Sequence, residues 1–402
     1  MSHHDRSAIH AAYLEPDAKA LTRLTSTYVI PQSIRHAASQ RAARMVRDIR
    51  DEDRGGLMEV FLAEYGLSTA EGLALMRLAE ALLRVPDDHT VDALIEDKIV
   101  PAQWSAHRGQ SESGLVNAST LALMLTGRVL SDEDGEGLAA TLKGAVKRLG
   151  EPVIRAATRR AMKEMGNQFV LGETIAQAVK RGQPRAAQGY THSFDMLGEA
   201  ALTAQDAQDY FDAYSHAIAH LAKGAHGDDI RLNPGISVKL SALHPRYEQA
   251  QHARVLAELA PRLLTLCQQA KAAQMGLNVD AEEADRLDLS LDVIERVLAD
   301  PSLAGWDGFG VVVQAYGKRA APVIDWLHTL AETHNRRIMV RLVKGAYWDT
   351  EIKRAQVAGL PGFPVFTEKA ATDVSYLCCA RQLLEKFARI YPQFATHNAH
   401  SV

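Results

Sequence analysis

Charged side chains interrupt several apolar runs in the second half of the chain. Arg341 stands inside the run IMVRLV of residues 338–343, and Lys344 follows it directly. A strand of this composition is typical of a sheet buried on both faces. Because an unpaired guanidinium there would be costly, Arg341 must either meet a structural carboxylate or line a polar cavity. The sequence leaves both interpretations open.

A second cation, Lys239, lies on the polar face of the segment ISVKLSAL, opposite Ile236 and Val238. In the next strand-like segment, Asp280 and Glu282 alternate with apolar residues in the same way. Lys239 could pair with a substrate carboxylate, act as a Schiff-base nucleophile with a lowered pKa, or simply pair with Asp280. Charges of both signs at one site suit a small zwitterion or carboxylate.

The motifs of a protein nucleophile or a metal hydrolase are missing from the sequence. Neither GxSxG nor HExxH occurs, and in the helical pair His216 and His220 the zinc-hydrolase glutamate is replaced by Ala217. We therefore predict no metal site and expect an organic cofactor to supply the difficult chemistry.

Six strand-like runs position these groups, and a helical segment follows each of the first five. The runs cover residues 190–196, 235–243, 276–281, 308–316, 337–345 and 393–398. Repeated strand-then-helix units predict parallel strands. Polar groups end several runs, Gln314 and His397 among them, as expected of a (β/α)8 TIM-type barrel whose site opens at the carboxyl ends of the strands. The GxGxxG motif of a doubly wound nucleotide-binding sheet is absent.

The first half of the chain contains helical patterns only. We predict a helical arm over residues 1–54, a helical domain over residues 55–183 with a linker at residues 181–189, and a barrel over residues 184–402. Acidic residues interrupt the arginines of residues 41–54, so no basic face for nucleic acid is expected there. A net charge of -4 likewise argues against a global field that attracts nucleic acid.

Localisation follows from what the sequence lacks. No apolar run approaches the ~20 residues of a membrane span, and the first 18 residues are too polar for a secretory signal. Three cysteines, Cys267, Cys378 and Cys379, form neither a disulfide framework nor paired zinc spacings. We expect a soluble protein of the reducing cytoplasm.

Five segments together resemble the proline dehydrogenase domain of the bifunctional bacterial proline utilization A family. They run in family order: VKLSALHPRYE (238–248), VDAEEADRLDLSLD (279–292), VVQAYGKRA (312–320), RLVKGAYWDTEIKRAQ (341–356) and YPQFATHNAHSV (391–402). The resemblance implies FAD-dependent oxidation of L-proline to Δ1-pyrroline-5-carboxylate, with electrons passed to a membrane quinone. It also implies that the protein is a cytoplasmic homo-oligomer that can associate peripherally with the inner membrane.

The resemblance implies roles for individual residues. Lys239 would bind the proline carboxylate, and Asp280 would hold the charges of the site in register. The pocket would be lined by Leu342, Ala346 and Tyr347. Gln314 and Arg341 would contact the isoalloxazine, and the rest of FAD would be held by Lys344, Gly345, Thr367, Lys369, Thr372 and His397.

The chain departs from the family pattern at both ends. Six strands are counted where a barrel needs eight, and the family's terminal arginine pair and aldehyde dehydrogenase module are not found. No ribbon-helix-helix segment precedes the arm, so no DNA-binding segment is expected. These departures predict an N-terminal fragment whose barrel is incomplete at the C-terminus and whose own activity is low. Two alternatives stay open: a Schiff-base lyase or aldolase using Lys239, and a catalytically silent helical dimerisation fragment.

Overall fold

The computed structural model describes residues 5–51 and 170–402. The chain divides into two compact units, one of residues 1–48 with 179–402 and the other of residues 49–178. The arm therefore shares a unit with the predicted barrel. Residues 55–169 of the predicted helical domain lie outside the described residues.

Six parallel strands form one sheet in which each strand pairs with the next along the chain. They are β1 (Ser193–Asp195), β2 (Gly235–Val238), β3 (Gly276–Val279), β4 (Phe309–Gln314), β5 (Ile338–Val343) and β6 (Ile390–Phe394). A doubly wound sheet would reverse its strand order at a switch point, whereas this order runs in one direction, as it does around a barrel. The predicted α/β class with parallel strands is confirmed.

The helices of the arm precede the sheet in the chain, and further helices follow the first five strands. The described helices are α1 (Ser7–Ala11), α2 (Asp17–Thr27), α3 (Gln32–Asp51), α4 (Ile175–Ala186), α5 (Ala204–Leu221), α6 (Leu240–Leu243), α7 (His252–Ala272), α8 (Leu287–Leu298), α9 (Ala320–Thr333), α10 (Trp348–Val357) and α11 (Lys369–Glu385). None of these helices is both long and apolar enough to cross a bilayer.

Local sequence signals explain where these elements begin and what they bury. α5 starts at a capping box, because the Thr203 side chain accepts from the Asp206 backbone while the Asp206 carboxylate accepts from the Thr203 backbone. In β5, Ile338, Val340 and Leu342 are fully buried on the face that meets the helices. Arg341 consequently projects to the barrel interior.

The arm docks on the helices of the barrel unit through Arg6. Its guanidinium donates to Asp292 at 2.7 Å and to Glu295 at 3.1 Å, and it lies over the Trp326 ring. Because Arg6 and both carboxylates are largely buried, these pairs are less screened than surface pairs. The beginning of the chain is thereby attached to α8 and α9.

Three predicted boundaries were wrong. β2 ends at Val238 rather than residue 243, because the chain turns into α6 at Leu240. β6 covers Ile390–Phe394 rather than residues 393–398, so His397 follows the strand. The predicted linker at residues 181–189 is helical through Ala186 despite Pro184, and the chain turns at Gly189, where φ is +90°.

Candidate active site

A cavity of about 630 Å³ opens at the carboxyl ends of the strands. It receives the residues that directly follow β2 and β3, the last residue of β4, the Arg341 side chain of β5 and the residues after β5 and β6. Ten of the predicted site residues line it: Lys239, Asp280, Gln314, Arg341, Lys344, Gly345, Ala346, Tyr347, Lys369 and His397. These ten residues, up to 158 positions apart in sequence, thus meet at one place.

The Lys239 ammonium lies between two carboxylates. Its Nζ is 2.9 Å from Asp280 Oδ2 and 3.4 Å from Asp195 Oδ1. Burial opposes the charged ammonium, but the Asp280 carboxylate outweighs it, and the pKa of Lys239 is raised above its ordinary value. An ammonium has three N–H donors, so one is left for a ligand when two point at these carboxylates.

Arg341 crosses the barrel interior from β5 to β1 and β2. Its guanidinium donates to the Ser237 hydroxyl at 2.8 Å and to the Ser193 hydroxyl at 2.7 Å. No carboxylate of the described residues lies within ion-pair distance of it. Burial lowers the pKa of Arg341, with Asp280 opposing, yet an arginine stays protonated at neutral pH. Of the two interpretations of Arg341, the structure favours the polar cavity, to which Arg341 adds a positive charge.

Gln314, the last residue of β4, joins two loops to the end of this strand. Its amide nitrogen donates to the Glu282 carbonyl at 2.9 Å, and its amide oxygen accepts from the Ala346 backbone N–H at 3.2 Å. Both hydrogen bonds hold the loops that follow β3 and β5 against the end of β4. The side chain therefore sits rigidly in the cavity wall.

Gly345 lets the chain turn sharply where β5 ends. Its φ of +144° disfavours any residue with a side chain, and an added Cβ would lie 2.4 Å from the Tyr316 ring. Only glycine fits, so the backbone of the loop after β5 borders the cavity directly. Tyr347 follows, with its hydroxyl 3.5 Å from Glu199 Oε1.

Two lysines on the far wall share one acid. Lys344 Nζ lies 2.5 Å from one oxygen of Asp373, and Lys369 Nζ lies 2.9 Å from the other. Desolvation opposes ionisation of Asp373, but the Lys344 and Lys369 ammonium groups prevail and hold its pKa below the usual value. Two cations against one anion leave a positive wall there.

Three predicted site residues do not line this cavity. Leu342 is fully buried and follows Arg341 in the strand, so it faces the helices rather than the interior. Thr372 is buried in the first turns of α11. Thr367 hydrogen-bonds to Asp17 of the arm.

Glu282 was expected at the barrel mouth beside Asp280, and this was wrong. The chain leaves β3 after Val279, so the two-residue alternation no longer applies beyond that point. Glu282 is buried and accepts from the Ser241 backbone N–H at 2.9 Å and from Arg286 at 3.0 Å. Its carboxylate therefore holds neighbouring loop residues together and does not line the cavity.

Sequence reasoning missed Asp195, Ser193 and Ser237, which contact the two central cations. The signal was present, since Ser193 and Asp195 alternate around Phe194 in the short run SFD. Residues i and i+2 of a strand lie on the same face, so the two polar side chains could have been grouped with the other polar strand residues. Among the described residues, no cluster of three or more metal-ligating side chains is found.

Comparison with known proteins identifies the family. Residues 178–402 match the family model described as "Proline dehydrogenase". The chain belongs to the proline dehydrogenase family. It is 50% identical over 401 residues to the bifunctional protein PutA of Escherichia coli K12, a match that covers 99% of this chain and 30% of that protein. PutA of Rhizobium meliloti is 49% identical over 397 residues, covering 99% of this chain and 32% of that protein.

A solved structure agrees in fold with this member of the proline dehydrogenase family. A crystal structure of a mutant of Bradyrhizobium japonicum proline utilization A has a TM-score of 0.70 and 51% identity, covering 97% of this chain and 39% of that one. The chain thus spans about a third of the length of the relatives it matches.

The expectation that this chain carries no DNA-binding segment was wrong. Residues 57–169 match a second family model, described as "DNA-binding domain of Proline dehydrogenase". The expectation relied on the missing ribbon-helix-helix segment and on the acidic residues among the arginines of the arm. Neither observation concerns residues 57–169, which lie outside the described residues.

Proposed function

We propose that this cavity binds FAD and L-proline and oxidises L-proline to Δ1-pyrroline-5-carboxylate, the first step of proline catabolism. The observation that carries the proposal is the Arg341 guanidinium, held across the barrel by hydroxyl groups. These hydroxyl groups accept from the guanidinium but carry no charge, so neither of them neutralises it. A positive charge fixed beside a flavin favours the electron-rich reduced ring.

The residues present suit a flavin. Gln314 offers an amide in a rigid wall, and Gly345 allows a planar ring to approach the backbone. The positive wall of Lys344 and Lys369 suits a pyrophosphate. His397 lies on the same cavity and would contribute to holding the cofactor. When bound, FAD would supply the oxidant by accepting the hydride that leaves the ring carbon next to the proline nitrogen, and loss of the N–H proton would complete the carbon–nitrogen double bond.

Lys239 is the group proposed to bind the substrate carboxylate. Its third N–H donor is available beside Asp280 and Asp195. A charge-assisted hydrogen bond to this donor would fix the carboxylate, and Asp280 would keep the ammonium pointing into the cavity. Ala346 and Tyr347 border the same space and would exclude water from the reacting carbon.

Three further parts of the proposal follow from the resemblance. Electrons from the reduced flavin would pass to a membrane quinone, the protein would form a homo-oligomer, and it would be cytoplasmic with peripheral membrane contact. The proposed roles of Leu342, Thr367 and Thr372 would be indirect, through packing and positioning of the cavity walls, because none of the three lines the cavity.

The Schiff-base alternative has weaker support. A nucleophilic lysine needs a lowered pKa, usually obtained by desolvation or a neighbouring cation. Lys239 instead faces two carboxylates, and its pKa is raised. An ammonium stabilised in this way is suited to binding an anion.

The test is to purify the complete gene product, measure its bound flavin, and assay dye reduction with L-proline. We expect flavin absorbance and proline-dependent reduction of the dye. Borohydride in the presence of carbonyl compounds should leave the protein mass unchanged. A covalent adduct at Lys239 without flavin would overturn the proposal in favour of a lyase.

A further inference from the structure

Asp17, the first residue of α2, connects the N-terminal arm to the barrel. Its Oδ2 accepts hydrogen bonds from the Thr367 backbone N–H at 3.0 Å and from the Thr367 hydroxyl at 2.8 Å. Its Oδ1 lies 2.8 Å from Lys318 Nζ. One carboxylate of the arm thus meets two different loops of the barrel.

The buried ammonium of Lys318 is paired with the Asp17 carboxylate. Its side chain is only 3% exposed, and Asp17 is the acid that pairs with it. The Lys318 backbone N–H also donates to the Pro364 carbonyl at 3.2 Å. Because a buried ammonium is costly unless it is paired, the Asp17 carboxylate is required to keep the loop after β4 in place.

The segment of residues 364–367 is joined to the cavity wall by the backbone. Val365 forms an antiparallel bridge with Gly317, and the Phe366 N–H donates to the Tyr316 carbonyl at 2.8 Å. The Tyr316 N–H in turn donates to the carbonyl of Lys344 at 2.7 Å, and Lys344 lines the cavity.

The same segment sets where α11 begins. Thr367 lies two residues before Lys369, the first residue of α11, and Lys369 lines the cavity. One carboxylate oxygen of Asp17 accepts from both the backbone N–H and the hydroxyl of Thr367, which fixes Thr367 against the arm. The position of the positive wall of Lys344 and Lys369 is therefore coupled to the arm.

We infer that Asp17 is a positioning residue of the cofactor site, acting through Thr367 and Lys318 on the cavity wall. The inference rests on the proposed function, because the cavity ligand is taken to be FAD. Without Asp17, both Thr367 donors are released and residues 364–369 sample more conformations. FAD binding must then order this segment, which weakens affinity.

The test compares Asp17→Ala with Asp5→Ala in the full chain. Asp5 is an exposed carboxylate of the same arm that caps Ser7 locally, so it serves as the matched control. FAD affinity is measured by flavin fluorescence, and amide hydrogen exchange is followed over residues 364–369 in the flavin-free protein. We expect Asp17→Ala to weaken FAD binding about tenfold and to speed exchange in this segment, and Asp5→Ala to do neither.

A second variant separates positioning from folding. Asp17→Ala combined with Lys318→Met removes the buried unpaired ammonium, so thermal stability should recover while FAD binding stays weak. Recovery of both would overturn the inference, since Asp17 would then matter for stability alone. Equal FAD affinity in wild type and Asp17→Ala would also overturn it. Failure of the wild-type chain to bind FAD would overturn the proposed function instead.

Discussion

The Arg341 guanidinium on β5 donates to the Ser237 hydroxyl on β2, 2.8 Å away, although 104 residues separate them. The bond crosses the barrel interior rather than following the sheet, in which β5 pairs with β4 and β6. A second hydroxyl, Ser193 of β1, binds the same guanidinium. Because hydroxyl groups carry no charge, neither of these two partners neutralises Arg341.

Arg341→Met should lower the reduction potential of the bound flavin. Removing a cation beside the ring destabilises the reduced form, and a shift on the order of 30 mV corresponds to about 1.4 kcal/mol for a two-electron couple. Spectroelectrochemistry on the flavin-loaded protein measures the shift. Arg341→Lys, which keeps the charge, is the control and should shift the potential less. An unchanged or higher potential in Arg341→Met would count against direct contact with the ring.

Lys239→Met should raise the KM for proline far more than it changes flavin content. The substitution removes a charge-assisted hydrogen bond of about 1.5–3 kcal/mol, which corresponds to roughly a tenfold or greater loss of affinity. Steady-state kinetics with L-proline and the flavin-to-protein absorbance ratio give the two readouts. An unchanged KM would remove Lys239 from the substrate site.

The protonation of Lys239 should not limit activity near neutral pH. Its folded-state pKa is raised above the ordinary 10.5, so its contribution to stability is complete below that value and is lost as the pH rises through the folded-state pKa. The pH dependence of kcat/KM in Lys239→Arg, which stays charged, should match that of wild type from pH ~6 to ~9. A wild-type inflection in this range that vanishes in Lys239→Arg would indicate the lowered pKa of a nucleophilic lysine.

Gly345→Ala should destabilise the protein and weaken flavin binding. The added Cβ meets the Tyr316 ring at 2.4 Å and the φ of +144° strains any alanine, at a cost of about 1–3 kcal/mol. Denaturant unfolding measures the loss. The control is Gly224→Ala, because a Cβ there meets no atom within 4 Å. A loss no larger than that of the control would mean that the loop after β5 adapts.

The parallel strands could be predicted from the sequence because their apolar runs are short and polar residues end them. Gln314 and His397 were found in this way and line the cavity. The same periodicity predicted the wrong side-chain direction where a strand ends early. Glu282 lies beyond the end of β3, and its side chain binds the Ser241 backbone instead of lining the cavity. The resemblance named Leu342, although the alternation in β5 puts it on the face opposite Arg341.

Long-range partners could not be predicted from local patterns. Asp17 meets Thr367 across 350 positions of sequence, and nothing in α2 distinguishes Asp17 from an ordinary helix-starting acid. Ser193 and Ser237 are small polar residues of short strands. Their role depends on the position of the Arg341 guanidinium, which donates to both. Such contacts join residues that are far apart in sequence, so no local pattern reveals them.

The most direct test of the account is anaerobic mixing of the flavin-loaded complete gene product with L-proline, followed by visible absorbance. We predict that L-proline bleaches the oxidised flavin, and that Lys239→Met needs roughly tenfold or more proline for the same rate. Flavin that stays oxidised at saturating L-proline would contradict the assignment of this cavity to proline oxidation.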